Sequence, residues 1–265
     1  MINIFFFKAA LGFYFLGMAS FLYYLISRNE KPPRASFALT GLGFLAHTAA
    51  LIVRTAEASY IPITNLHEAI SFFSWVIVFA FLLIEYRYRI YILGSFVLPV
   101  TFVSLISSAT LPMEIKMLDP QLRSAWLGVH TILSIMGAAA FLMAFFAGLM
   151  YLIQEWFLKS KRFNNLYLKL PALDILDNLN YRSIYFGFPL LTIGIITGSI
   201  WAEYAWDTYW NWVIIWLFYA AMLHGRITLG WRGRKAAYLA IIGFAGVIFT
   251  FIGVNILLQG RHAFL

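Results

Sequence analysis

The chain has 265 residues, of which 62% are hydrophobic, 19% aromatic and only 11% charged. Soluble domains carry roughly 25% charged residues, so this composition excludes a soluble enzyme, a disordered regulator and a disulfide scaffold. The absence of cysteine also excludes a thiolate nucleophile, a zinc–thiolate site and an iron–sulfur cluster of its own. The net charge of +8 does not indicate nucleic acid, because the basic residues are scattered between apolar runs.

Eight apolar stretches are each long enough to cross a bilayer, for which a helix needs about 20 residues. They lie near residues 4–27, 36–54, 68–84, 90–109, 126–153, 184–201, 210–229 and 236–258. They are hydrophobic on all sides instead of alternating with period two, which favours helices over barrel strands. The sequence therefore predicts an all-α polytopic membrane protein of about eight transmembrane helices, with residues 1–265 forming a single transmembrane domain.

The distribution of basic residues predicts the orientation of these spans. Fourteen of the nineteen lie in the loops after spans 1, 3, 5 and 7 or at their edges. The other side holds Lys8, Arg54, Lys116, Arg123 and Arg261. Because basic loops remain in the cytoplasm, both termini are expected on the outer, periplasmic side.

The segment between spans 5 and 6 shows a weaker pattern. Leu173, Leu176 and Leu179 recur every three residues, and Asp174 and Asp177 lie on a neighbouring stripe. This spacing predicts a short interfacial helix whose carboxylates form the solvated face.

Aromatic residues are concentrated between spans 6 and 7 and at the start of span 7. Nine of the nineteen residues from 201 to 219 are aromatic. The five tryptophans among them are Trp201, Trp206, Trp210, Trp212 and Trp216. An interfacial aromatic belt is one interpretation, but a belt needs only one or two such residues at each helix end. The other interpretation is a flat apolar platform for a planar ligand.

The five histidines are the candidate metal ligands, because a neutral imidazole is a common metal ligand and can hold haem iron axially. His130, near the outer end of span 5, and His262, in the outer tail, lie on the same side as the tryptophan-rich segment. Two axial ligands that flank a macrocycle require this arrangement. His47 and His224 lie inside spans 2 and 7, where an ionisable side chain indicates function unless a neighbouring carbonyl or hydroxyl satisfies it. His67 is expected to be an interfacial residue.

These residues resemble a known family. Gly187-Phe-Pro-Leu-Leu-Thr-Ile-Gly194, Gly198-Ser-Ile-Trp-Ala-Glu203 and Tyr209-Trp-Asn-Trp212 resemble the tryptophan-rich "WWD" region of the CcsA/ResC cytochrome c assembly proteins, here about 187–216. Thr64-Asn-Leu66 and Glu68 are also similar to family positions, and the likeness runs from about residue 40 to the C-terminus.

The resemblance implies haem handling. Such a protein would bind haem b and present it at the outer face of the bacterial inner membrane for attachment to apocytochrome c, with a ResB/CcsB-like membrane partner. It implies external axial ligands at His130 and His262 and a transmembrane haem route through His47 and His224. The implied haem platform consists of Trp201, Trp206, Trp210 and Trp212.

One segment of the family pattern is absent. After Trp212 the family continues with Asp-Pro-Lys-Glu, whereas this chain runs directly into Val213-Ile-Ile-Trp216. About seven residues, near two helical turns, are missing. Span 7 is short as a result, and Arg226 is expected to extend its side chain towards the membrane surface.

Two functions therefore remain open. The chain is either a subunit of a cytochrome c haem lyase or a HemX-like membrane accessory protein that regulates haem biosynthesis without ligation activity.

Overall fold

The computed structural model describes residues 2–28, 33–115, 125–201 and 206–257, with side chains except at 201, 206–211 and 252–257. In these ranges the chain forms helices and no strands. The helices are α1 (Ile2–Ile26), α2 (Arg34–Ala58), α3 (Leu66–Tyr88), α4 (Gly94–Ala109), α5 (Ala125–Ser160), α6 (Asn165–Lys169), α7 (Leu173–Trp201), α8 (Trp206–Thr228) and α9 (Arg234–Leu257). A 3-10 turn, Tyr91–Leu93, leads into α4. The predicted all-α fold class is confirmed.

Seven of the described helices are long and apolar enough to cross a membrane. They are α1, α2, α3, α4 with its preceding turn, α5, α7 and α9. The predicted seventh span corresponds to α8, whose apolar part Trp212–Thr228 is shorter than the other candidates. Its seventeen residues rise about 25 Å, somewhat less than a typical hydrocarbon core. Each predicted span thus contains a helix, and the chain is a multi-pass membrane protein.

Local side-chain and backbone signals set several helix ends. Asn65 begins α3 as an N-cap, and its side-chain oxygen accepts a hydrogen bond from the backbone N–H of Glu68 at 2.9 Å. At their C-terminal ends, α2 and α3 are followed by Ser59 and Arg89, whose backbone is left-handed, with φ of 60° and 53°. These left-handed residues turn their N–H groups back onto the last helical carbonyls, which stops each helix.

The predicted interfacial helix between spans 5 and 6 is wrong. α7 begins at Leu173 and continues without a break to Trp201, so this segment is the first part of a long helix and not a separate short one, and Leu176 and Leu179 are buried there. Asp177 is also not solvated, since its carboxylate pairs with both terminal nitrogens of Arg226 at 2.7 and 2.8 Å. The side chain of Arg226 therefore ends on α7.

The chain divides into two compact units. The first contains Met1–Met117 with Phe157–Pro171, and the second contains Leu118–Trp156 with Ala172–Leu265. In the first unit α1 packs along α2, and Phe21 and Phe81 meet edge to face in a fully buried core. In the second unit the buried ring of Tyr219 stacks on Phe141, with centroids 3.7 Å apart.

Candidate functional site

His130 is held against the neighbouring helix by a hydrogen bond. It lies near the start of α5, is half-buried, and its Nδ1 is 2.7 Å from the carbonyl oxygen of Gly194 on α7. A carbonyl oxygen only accepts, so Nδ1 carries the proton. In the neutral imidazole the lone pair is then on Nε2, which is the arrangement of a metal-binding histidine whose other nitrogen is fixed by a backbone carbonyl.

Glycines on α7 make this close approach possible. Gly187, Gly194 and Gly198 follow one face of the helix at intervals of seven and four residues. A Cβ atom on Gly187 would lie 2.7 Å from the ring of Phe141, and one on Gly198 would lie 2.5 Å from His130. The glycines of the family-like segment therefore form the surface on which α5 rests.

The tryptophan-rich segment is described only in part. Trp216 packs within the second unit, where its indole N–H donates to Thr192 Oγ1 at 2.9 Å and its ring stacks on Phe188. Trp212 is half-buried on α8. The side chains of Trp201, Trp206 and Trp210 and the whole of His262 lie outside the described residues.

The two transmembrane histidines have different surroundings. His224 lies on an exposed stripe of α8 with Ile214 and Leu217. His47 is completely buried in the first unit, where Nδ1 is 3.4 Å from Tyr14 Oη and Nε2 is 3.0 Å from Ser71 Oγ. Hydroxyl groups therefore satisfy both ring nitrogens of His47.

His67 lies at the start of α3, and its side chain is buried within the first unit. Its Nδ1 donates to the carbonyl oxygen of Ser108 at 2.8 Å, and the Ser108 hydroxyl donates to the carbonyl of His67 at 2.9 Å. The ring of Phe7 contacts both His67 and His47, with centroid distances of 5.4 and 6.3 Å. The first unit thus places two buried imidazoles next to one phenyl ring.

A buried ion pair lies next to His67. Arg54 Nε donates to Glu68 Oε1 at 2.8 Å, and Arg54 Nη1 donates to the carbonyl of Met113. The backbone and hydroxyl of Thr64 both donate to Glu68 Oε2 at 2.9 Å. Tyr60 lies in the turn before α3. Its partial burial raises the pKa of its hydroxyl, and the negative charge of Glu68 raises that pKa further. This pair was not predicted, although its opposite charges at the adjoining ends of spans 2 and 3 were a visible signal.

Known proteins resemble this chain over most of its length. Residues 63–262 match the profile of the family described as "Cytochrome C assembly protein". The chain is 37% identical over 251 residues to the cytochrome c biogenesis protein CcsA of Guillardia theta, covering 85% of this chain and 83% of that protein. It is 34% identical over 294 residues to the CcsA protein of Prochlorococcus marinus (strain NATL2A), covering 94% and 93%.

Proposed function

Because the chain belongs to the family of cytochrome c assembly proteins that includes CcsA, we propose that it binds haem b at the outer membrane face and presents it to apocytochrome c. Its general role is cytochrome c assembly within a membrane, and haem handling follows from that role. When bound, haem b would supply the vinyl carbons to which the cysteine thiols of the apocytochrome become joined.

The observation that carries the proposal is the hydrogen bond between His130 and Gly194. Nδ1 is committed to a backbone carbonyl at 2.7 Å, so the neutral ring offers Nε2 as an electron-pair donor. The bond also fixes the plane of the ring, which reduces the entropy lost when an axial bond forms. The chain itself therefore orients one ligand before any haem arrives.

The remaining parts of the proposed site extend this arrangement. We assign the second axial bond to His262 and the flat apolar surface to Trp201, Trp206, Trp210 and Trp212. We assign His47 and His224 to a route through the membrane. On that route, iron could bind His47 Nε2 only after the bond from Ser71 is released, whereas the exposed His224 needs no such release.

The proposed setting is the cytoplasmic membrane of a bacterium, where a ResB/CcsB-like protein would be the partner and the two together would form a haem lyase. The competing function is that of a HemX-like accessory protein, for which the missing Asp-Pro-Lys-Glu segment is the supporting feature. The 32–37% identity to CcsA proteins favours the assembly role.

Haem binding by purified protein tests the proposal. Full-length protein reconstituted with haem b in detergent should give the absorption spectrum of six-coordinate, low-spin iron. Replacement of His130 by Ala should abolish that spectrum, and added imidazole should restore it by occupying the vacated position. The control is V129A, which changes an exposed neighbour on α5.

Two results would contradict parts of this proposal. An unchanged spectrum in the H130A/H262A double variant would exclude the assigned external ligands. Normal haem binding without any cytochrome c maturation, in cells that also contain a ResB-like protein, would favour the HemX-like function.

A further inference from the structure

The turn between α8 and α9 holds the ring of Trp231 against the end of α8. The backbone N–H groups of Leu229 and Trp231 both donate to the carbonyl oxygen of Gly225, at 3.1 and 3.0 Å. Gly230 has φ 67°, a left-handed conformation that is common just after a helix end. A Cβ atom on Gly225 would lie 2.3 Å from the indole ring. The lack of a side chain at Gly225 therefore lets the ring of Trp231 lie directly on α8.

A groove lined by α7, α8 and α9 lies beside this ring. Its polar part includes Arg226 and Trp231, and its apolar part includes Ile184 of α7, Leu223 of α8 and Leu239 of α9. Along α8 and α9 the apolar residues are farther from the turn than the polar ones, and Leu223 and Leu239 are only half-buried. The groove therefore changes from polar to apolar in the direction that leads from the turn into the membrane.

Two exposed cations lie beside the polar part of the groove. The ammonium group of Lys235 is 3.7 Å from the centroid of the indole ring, within the range of a cation–π contact, and Arg232 follows the tryptophan directly. Arg226 and Arg234 each pair with a carboxylate of the same unit, at 2.7 and 3.6 Å. Neither Arg232 nor Lys235 makes an ion pair within the residues that the structure describes. Their positive charge is therefore available to an anion.

An anionic phospholipid has the order of groups that this groove presents. Its phosphate complements the two unpaired cations, and its glycerol region lies at the depth where tryptophan is enriched in membrane proteins. Its acyl chain complements Leu223 and Leu239. Basic pockets between transmembrane helices on the cytoplasmic side bind headgroups of this kind. A soluble phosphate ester would use the cations but leave the apolar part uncovered, so the complete groove favours the lipid.

We propose that this groove binds an anionic phospholipid of the inner leaflet. Arg232 and Lys235 hold the phosphate, and one acyl chain lies along Leu223 and Leu239. The apolar part of α8, Trp212–Thr228, is shorter than the other candidate spans. A lipid held at the end of this short helix anchors the turn at the membrane surface.

Native mass spectrometry of the haem-free, full-length protein tests the affinity. Titrated in detergent, the wild type should bind dioleoylphosphatidylglycerol more tightly than the zwitterionic dioleoylphosphatidylcholine. R232Q/K235Q should weaken the binding of the first phosphatidylglycerol by about tenfold, because two cations are lost from the surface. The control R28Q/R87Q removes two exposed cations from the same predicted side of the membrane, in the first unit. Equal affinities of the wild type for the two lipids, or equal losses in the two double variants, would overturn the site.

Photo-crosslinking tests the position of the lipid and its acyl chain. Phosphatidylglycerol with a diazirine in one acyl chain should label the peptides that contain Leu223 and Leu239. This labelling should be lost in R232Q/K235Q and retained in R28Q/R87Q, and its absence from these peptides in the wild type would overturn the proposal. A large excess of glycerol 3-phosphate should not displace the lipid, and displacement would indicate a site for soluble phosphate esters instead. Both experiments use haem-free protein, so their outcome is independent of the proposed function.

Discussion

A Cβ atom on Gly198 would lie 2.5 Å from Nδ1 of His130, so the imidazole occupies the space that a side chain at this position would fill. The backbone of α7 also contacts the same ring, since the carbonyl oxygen of Gly194 accepts a hydrogen bond from Nδ1. Small residues allow two membrane helices to approach closely, and here the approach fixes a side chain that we assign to the proposed haem site. The glycines of the family-like segment are thus part of the proposed haem site.

We expect G198A to displace the ring of His130 and break its bond to Gly194. Haem affinity should fall by about tenfold or more, which corresponds to about 1.4 kcal/mol, and the six-coordinate spectrum should be lost. Titration of the purified variant with haem b measures both effects. The matched control is G128A, because a Cβ on Gly128, close to His130 on α5, would contact nothing within 4 Å. Equal affinities for the two variants would show that the ring does not require this packing.

The orientation of the chain in the membrane is a second prediction. The natural chain has no cysteine, so a single introduced cysteine is its only thiol. Thr110 follows α4 and Ser160 ends α5, and both are exposed. If both termini face outward, a membrane-impermeant maleimide added to intact cells should label T110C and leave S160C unlabelled until the membrane is broken. The reverse pattern would invert the predicted topology.

The ion pair between Asp177 and Arg226 joins α7 to α8 in the second unit. Asp177 also accepts the backbone N–H of Gly233 at 2.7 Å, so one carboxylate ties the turn before α9 to the same point. The two side chains are only 14% and 11% exposed, which places the pair between surface pairs and fully buried ones. We expect D177N to destabilise the protein by about 2 kcal/mol, seen as a lower midpoint of thermal unfolding in detergent.

The control for this effect is D174N, which removes the exposed carboxylate one turn earlier on α7. The free energy of unfolding of D174N should remain within about 0.5 kcal/mol of the wild-type value. A D177N/R226Q double variant should recover part of the loss, because it no longer leaves an unpaired buried cation. If D174N and D177N were equally harmful, the charge of the segment and not the pair would be responsible.

Much of the fold could be predicted from the sequence because the membrane imposes helices of a set length on apolar stretches. The partners of polar side chains were less predictable. Asp177 has the spacing of a solvated face, yet it pairs with Arg226, forty-nine residues later in the chain. His47 was identified as a buried ionisable residue, but its partners Tyr14 and Ser71 come from two other helices. Such contacts depend on helix rotation, which a uniformly apolar surface does not reveal in the sequence.

Two glycines on α2 provide a final test of packing in the first unit. A Cβ on Gly43 would lie 2.6 Å from the ring of Tyr14 on α1, whereas a Cβ on Gly41 would meet nothing within 4 Å. Replacing an unhindered helical glycine by alanine stabilises a helix by about 0.5–1 kcal/mol. Overpacking a buried contact costs about 1–3 kcal/mol. The same substitution is therefore expected to have opposite effects at positions two residues apart.

We expect G41A to raise the midpoint of thermal unfolding and G43A to lower it. Because Tyr14 bonds to His47, G43A should also shift the His47 ¹⁵N signals, and G41A should not. Light-scattering and fluorescence melts of the two variants in the same detergent compare their stabilities directly. If both variants gained stability, α1 and α2 would not make the close contact at Gly43, and the burial of Tyr14 against His47 would lose its structural basis.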